Sequence, residues 1–244
     1  MSVADKIIQL KDDFDGVYDK GVTDGKQFGY DEFWDVVQDF GNRENYMRAF
    51  AKWGGEILSP KYKVMPTGNN PAMFSGSKIK YIDKEKFDLS QATYLASSSS
   101  STTYCLCEYC NYLEVFPDIN LQAGYYANAF SDCFALHTIE ILRTARDSQF
   151  GAYAFRSCRA LQNITIDGEI GYSFDIHWST LLTRASIESI INHLSDTTGA
   201  TLTLSKEAIK KVYGIDVSKD ADIPTDNDFY TLRFLKSNWT FAYV

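Results

Sequence analysis

Apolar positions recur through the middle of this chain in one pattern, written twice twenty-five residues apart: Ala129-Phe130-x-x-Cys133-x-x-Leu136-x-x-Ile139-x-Ile141, then Ala154-Phe155-x-x-Cys158-x-x-Leu161-x-x-Ile164-x-Ile166. A period of this size marks stacked units, each too small to cover its own apolar face and dependent on its neighbours for a core. Leu106-Cys107-x-x-Cys110-x-x-Leu113-x-x-Phe116 has the same spacing, with Cys110 twenty-three residues ahead of Cys133. The pattern predicts three clear turns and a fourth, degenerate one around Ile79 to Leu95. It places Cys110, Leu113, Phe130, Cys133, Leu136, Ile139, Phe155, Cys158, Leu161 and Ile164 in one apolar column, each over its counterpart in the next turn. A further turn opens at Ile170-Gly171-Tyr172-Ser173-Phe174, which resembles Phe150-Gly151-Ala152-Tyr153-Ala154-Phe155. Neither Cys nor Leu follows at the repeat offset, so the array is expected to end there.

Helical spacing dominates the flanks. Ile7, Leu10, Phe14 and Val17 form an a/d seam, and residues 1–29 are read as an N-terminal helix for oligomerisation or attachment. A helix of this size is marginal alone in water, so a second copy or the rest of the chain must cover its stripe. Residues 30–72 read as a helical, aromatic-rich cap and linker: Phe33, Trp34, Val37 and Phe40 stop at Gly41-Asn42, and Tyr46, Met47, Phe50 and Trp53 stop at Gly54-Gly55. The repeat solenoid then spans 73–182, interrupted by the tract Ser97 to Ser101, which is too polar to pack and is expected to project as a loop. An α/β cap is expected over 183–244. In it, Ile187, Ile190, Ile191 and Leu194 mark an amphipathic helix with Ser186 as N-cap, and Thr201 to Leu204 alternates as a strand. Ser205 caps a short helix ended by Gly214, and Trp239, Phe241 and Tyr243 alternate in a last strand. The fold class is therefore α+β: a short solenoid between a helical start and an α/β end.

Apolar residues make up 45% of the 244 and aromatic residues 15%, enough to fill such a core. The net charge of −8, with no Lys/Arg run, argues against nucleic acid, because phosphate-backbone binding needs clustered cations. No basic start followed by an apolar run appears, nor any stretch approaching a membrane span. Synthesis in the cytoplasm without membrane insertion is expected. Five cysteines, an odd number gathered in the repeats, read as reduced thiols.

Cys105-x-Cys107-x-x-Cys110 has the close spacing of a zinc site, but repeat register accounts for Cys110 better, since a small, poorly hydrated side chain suits a buried column. His137, His177 and His193 share no ligand spacing. Asp216, Asp220, Asp222, Asp226 and Asp228 suggest calcium, yet the glycine needed at the sixth loop position is missing, and a solvated linker is the better reading. Phosphate-loop, dinucleotide, HExxH and G-x-S-x-G patterns are absent from the sequence. No enzyme, metal or cofactor is expected. Tyr125, Tyr126 and Trp178 are the aromatics that could stack on a sugar, with repeat packing as the competing reading.

Units of the form Gly-x-x-Ala-Phe-x-x-Cys-x-x-Leu-x-x-Ile-x-Ile resemble the BspA-like leucine-rich repeats over about Leu106 to Phe174. The tail from Leu182 to Thr198 with Lys236-Ser237-Asn238-Trp239-Thr240 is similar to the end of such repeat proteins in phages and prophages of gut Firmicutes. The segments Val17-Tyr18-Asp19-Lys20-Gly21, Tyr30-Asp31-Glu32-Phe33-Trp34-Asp35 and Gly41-Asn42-Arg43 are similar to their start. The resemblance implies a non-enzymatic phage structural protein located on the virion and assembled in the host cytoplasm. Its expected partners are other virion proteins or a host surface receptor, with a homotrimer formed through the N-terminal helix. A bacterial adhesin or protein-binding module, and a glycan-binding tip protein, are the alternatives.

Overall fold

A computed structural model of the protein describes residues 56–59, 65, 73–89, 106–121, 124–126 and 128–244, without the side chains of 124 and 125. The seam Ile7, Leu10, Phe14 and Val17, the helices expected within 30–55, the serine tract and Cys105 lie outside the described residues. What is described is a parallel β-solenoid of about five turns with few helices. Its strands are β1 (Ile57–Leu58), β2 (Tyr81–Ile82), β3 (Val115–Phe116), β4 (Ile119–Leu121), β5 (Gly124–Tyr125), β6 (Thr138–Thr144), β7 (Ser148–Gln149) and β8 (Asn163–Gly168). The main sheet runs β1, β2, β3, β6, β8, and all its pairs are parallel. β4 continues the rung of β3 beyond Pro117-Asp118 and pairs with the far half of β6. β5 and β7 make a second, two-stranded pair.

Alternation of side chains explains why these short strands stack. Ile57, Tyr81, Val115, Thr138 and Asn163 share one register row. The residue after each, namely Leu58, Ile82, Phe116, Ile139 and Ile164, is fully buried. One departure from the repeat appears here. The pairing shifts between Ile139 and Leu142, so Leu142, not Ile141, lies opposite Ile166. The irregularity leaves Ile141 half-buried and shows that an extra residue in β6 was hidden by the matching Ile-x-Ile spelling.

Each turn has a second wall built around the thiol slot. The residue before the slot has a left-handed backbone in four successive turns: Gly76 (φ 70°), Tyr109 (φ 61°), Asp132 (φ 61°) and Ser157 (φ 63°). Two ladders of amide hydrogen bonds tie these corners together. In one, the Gly76, Tyr109 and Asp132 amides donate to Glu108, Ser131 and Arg156 carbonyls at 2.8, 3.0 and 2.8 Å. In the other, Phe74, Cys107 and Phe130 donate to Leu106, Ala129 and Ala154 at 3.0, 2.8 and 2.8 Å. This geometry corrects two expectations about the array. The degenerate turn is anchored by Met73-Phe74-x-x-Ser77, earlier than the expected Ile79, with Ser77 in the slot. The array also does not stop after Phe174: Ile176-x-x-Ser179-x-x-Leu182 repeats the spacing, all three residues are buried, and the Ser179 amide donates to Ile176 O at 3.0 Å as each slot residue does. Serine in place of cysteine concealed both ends.

Phenylalanines run through the axis. Ring centroids of Phe74 and Phe116 are 6.0 Å apart, Phe116 and Phe130 5.3 Å, Phe130 and Phe155 5.5 Å, and Phe155 and Phe174 5.4 Å. These separations are favourable for aromatic pairs, so the column is both apolar and geometrically specified.

The C-terminal segment covers the last rung. Helix α1 (Arg184–Asn192) packs on β8, with Ile187, Ile190 and Ile191 buried. Its N-cap is Thr183 rather than the expected Ser186; the Thr183 hydroxyl accepts from the Ser186 amide at 3.3 Å. Ser186 serves the sheet instead. Its Oγ accepts from the Ile164 amide at 3.0 Å and donates to Gln162 O at 2.9 Å, while Ser189 Oγ accepts from the Ile166 amide at 2.9 Å. Beyond α1, β9 (Phe174–Asp175), β10 (Thr201–Leu204) and β11 (Thr240–Tyr243) form a parallel three-stranded sheet in the order β11, β10, β9. Helices α2 (Lys206–Tyr213) and α3 (Asp228–Phe234) complete the segment. Ser205 caps α2, Gly214 ends it with φ 71°, and the Trp239 indole donates to Ser195 O at 2.9 Å. Among the described residues no helix is long and apolar enough to cross a membrane.

Candidate binding surface

The residues expected in the repeat column, Cys110, Leu113, Phe130, Cys133, Leu136, Ile139, Phe155, Cys158, Leu161 and Ile164, are all at most 2% exposed. The thiols form a hydrogen-bonded file. Cys110 Sγ donates to Phe74 O at 2.9 Å, Cys133 Sγ to Cys107 O at 3.0 Å and Cys158 Sγ to Phe130 O at 3.0 Å. Each thiol therefore links its turn to the preceding one, giving a second donor to a carbonyl that already accepts the slot amide of its own turn. Burial raises the Cys107 and Cys133 thiols well above their ordinary range and pushes Cys158 up to about 12. Cys107, Cys133 and Cys158 are therefore protonated packing groups, not nucleophiles. Among the described residues, no three His, Cys, Asp or Glu side chains gather in a metal-holding group.

The aspartates of 216–228 turn to separate partners. Asp216 pairs with Lys210 at 2.8 Å and Asp228 with Arg184 at 2.5 Å. Asp220 pairs with Arg233 and also accepts from the Tyr243 hydroxyl at 2.9 Å. Asp222 accepts from the Ser218 and Lys219 amides at 2.9 and 3.0 Å, and these backbone donors hold its carboxyl below the usual range. The histidines are dispersed: His137 Nδ1 lies 3.0 Å from Thr138 Oγ1, His193 Nδ1 2.7 Å from Ser189 O, and His177 Nδ1 2.6 Å from Asp175 Oδ1.

Of the three aromatics singled out for sugar stacking, Tyr126 is a correction. It is 2% exposed, with its ring 5.7 Å from Phe150, because the turn needs a large apolar group there. The Tyr125 side chain lies outside the described residues. Trp178 is half-buried on the wall of a cleft beside α2, with Arg159 over its ring at 5.7 Å.

Repeat matching overlooked a different set. Tyr109, Tyr112, Phe134 and Tyr153 are 53%, 51%, 50% and 55% exposed. Tyr109, Tyr112 and Phe134 flank the slots of adjacent turns, so the hydrogen-bonded corners bring them onto one side of the stack. The corner is braced beneath: Arg156 pairs with Asp132 and lies over the Tyr153 ring at 5.4 Å. Burial raises the Asp132 carboxyl, but donation from Arg156, Ser131 and Ser157 outweighs that and holds it below the usual range. The signal available in the sequence was aromatic residues at the unspecified positions between repeat anchors, which a consensus pattern discards. No protein-family profile, curated protein or solved structure matches the chain.

Proposed function

We propose that the chain is a non-enzymatic virion structural protein of BspA-like leucine-rich-repeat type, holding a rigid solenoid whose corner face contacts another protein on the particle or at the host surface. The observation that carries the binding role is the group Tyr109, Tyr112, Phe134 and Tyr153, each about half exposed on a scaffold whose core is otherwise filled. Aromatic side chains beside an arginine are what protein interfaces favour at their energetic centre. The virion setting rests on the resemblance of the repeats, head and tail described above. An N-terminal helix with Ile7, Leu10, Phe14 and Val17 at its seam would attach it as a homotrimer.

Mass spectrometry of purified particles from the encoding phage or prophage tests the setting: the chain is expected in particles from the intact genome and missing when the gene is deleted. A Tyr109→Ser/Tyr112→Ser/Phe134→Ser variant is expected to stay folded and to lose incorporation or host adsorption. Particles lacking the chain would overturn the virion role in favour of a bacterial adhesin or protein-binding module.

A further inference from the structure

We propose that the cleft between the last turn and α2 binds an acidic saccharide, its ring on Trp178 and its carboxylate on Arg159. The cleft has a volume of about 580 Å³, and Arg159, His177, Trp178, Thr180, Lys206 and Glu207 line it. Arg159 is the feature that sets it apart. Arg143, Arg146, Arg156, Arg184 and Arg233 all hold carboxylates. Arg159, among the described residues, holds none; its guanidinium lies over the Trp178 indole, 5.7 Å from the ring centre. Lys206 likewise has no carboxylate partner among the described residues, although its backbone amide donates to Val244 O at 2.9 Å. Two cations with no carboxylate partner among the described residues thus share one cleft with Glu207 in an acidic protein.

The walls are positioned rather than loose. Ser179, next to Trp178, is fully buried and donates from Oγ to Cys158 O at 3.1 Å. Asp175 Oδ1 holds His177 through the ring Nδ1 at 2.6 Å and the backbone amide at 3.2 Å, and the His177 ring lies 4.9 Å from that of Trp178. The His177 side of the platform is therefore set before any ligand arrives, which lowers the ordering cost of binding. The exposed Arg159 side chain, lying over the indole, has to move aside to admit the sugar ring and pair with its carboxylate. A planar guanidinium fork suits a carboxylate, and an indole suits the C–H face of a sugar ring. Thr180 and Glu207 offer hydroxyl partners, and the negative charge of Glu207 limits the anion the cleft accepts. Arg159 and Trp178 flank the slots of the turns after Phe134, so the cleft continues the side of the stack that carries the aromatic corner. It shares no residue with that corner and does not depend on the function proposed for it.

Calorimetric titration of the full chain with trigalacturonate, trimannuronate and sialyllactose tests the proposal. At least one is expected to bind saturably, about tenfold tighter than its methyl ester, as one hydrogen bond to a charged group implies. Trp178→Ala is expected to abolish binding. Arg159→Gln, at an exposed side chain, is expected to leave the melting temperature unchanged and bring acid and ester to equal affinity. Absence of binding to all three acids, equal wild-type affinity for acid and ester, or an unaffected Arg159→Gln would overturn it. Competition by inorganic phosphate at the same concentration as the sugar would also overturn it, by revealing an anion site with no role for the ring. The Tyr109→Ser/Tyr112→Ser/Phe134→Ser variant is expected to bind the acid normally, so failure of the corner and failure of the cleft are told apart.

Discussion

A single side-chain slot shows how narrowly each turn is specified. Ser77, Cys110, Cys133, Cys158 and Ser179 occupy it in succession, and every one is at most 2% exposed. The slot takes a small side chain with one weak donor. Cys133→Ser, which preserves the donor, is expected to cost about 1 kcal/mol or less, whereas Cys133→Leu, which overpacks between the turns of Cys110 and Cys158, is expected to cost about 1–3 kcal/mol. Urea denaturation followed by circular dichroism would rank them. Cys158 also ties stability to pH. Cys158 is raised from 9.0 to about 12 by burial, so the folded state favours the protonated form. That contribution is complete below pH 9 and is lost as pH rises toward about 12. Tyr243 acts in the same direction, since burial and its hydrogen bond to Asp220 raise its phenol. The urea midpoint is expected to fall on going from pH 8 to pH 11, and to fall less in Cys158→Ser.

At the scale of elements, the decisive pairing is between α1 and β8. A parallel sheet needs cover at its edge, because unpaired strand amides invite another chain. Here the helix itself supplies acceptors: Ser186 and Ser189 take the Ile164 and Ile166 amides that another strand would otherwise bind. Ser186→Ala is expected to destabilise the protein by about 1–3 kcal/mol, since a buried amide loses its acceptor. Amide exchange should show it directly: the Ile164 amide speeds up, while Leu202 on β10 changes only as far as global stability falls. Equal exchange rates at Ile164 in both proteins would mean that the serine contact is dispensable. Sequence spacing announced α1 but misassigned Ser186 to its own helix end, because a hydroxyl near a helix start fits a cap equally well until the neighbouring strand is in place.

For the whole molecule, stacking turns so that one face of each is consumed by its neighbour leaves the corner aromatics and the Trp178 cleft as the surfaces of the described region with the clearest binding chemistry. The oligomeric expectation is tested at this scale: native mass spectrometry should give a trimer, and Leu10→Asp/Phe14→Asp should give a monomer with the solenoid intact. A wild-type monomer at micromolar concentration would rule out the seam. The sequence by itself determined the turn period, the thiol and leucine positions and the strand residues Ile139 and Ile164, because burial in a stacked repeat demands the same side chain at the same offset. Only the tertiary structure decided that Ser77 and Ser179 extend the file, that Leu142 replaces Ile141 opposite Ile166, that Tyr126 belongs to the core, and that Arg159 meets Trp178. Each of these depends on which groups lie within a few ångströms across turns, and a repeat consensus carries no information about positions where neighbouring turns differ.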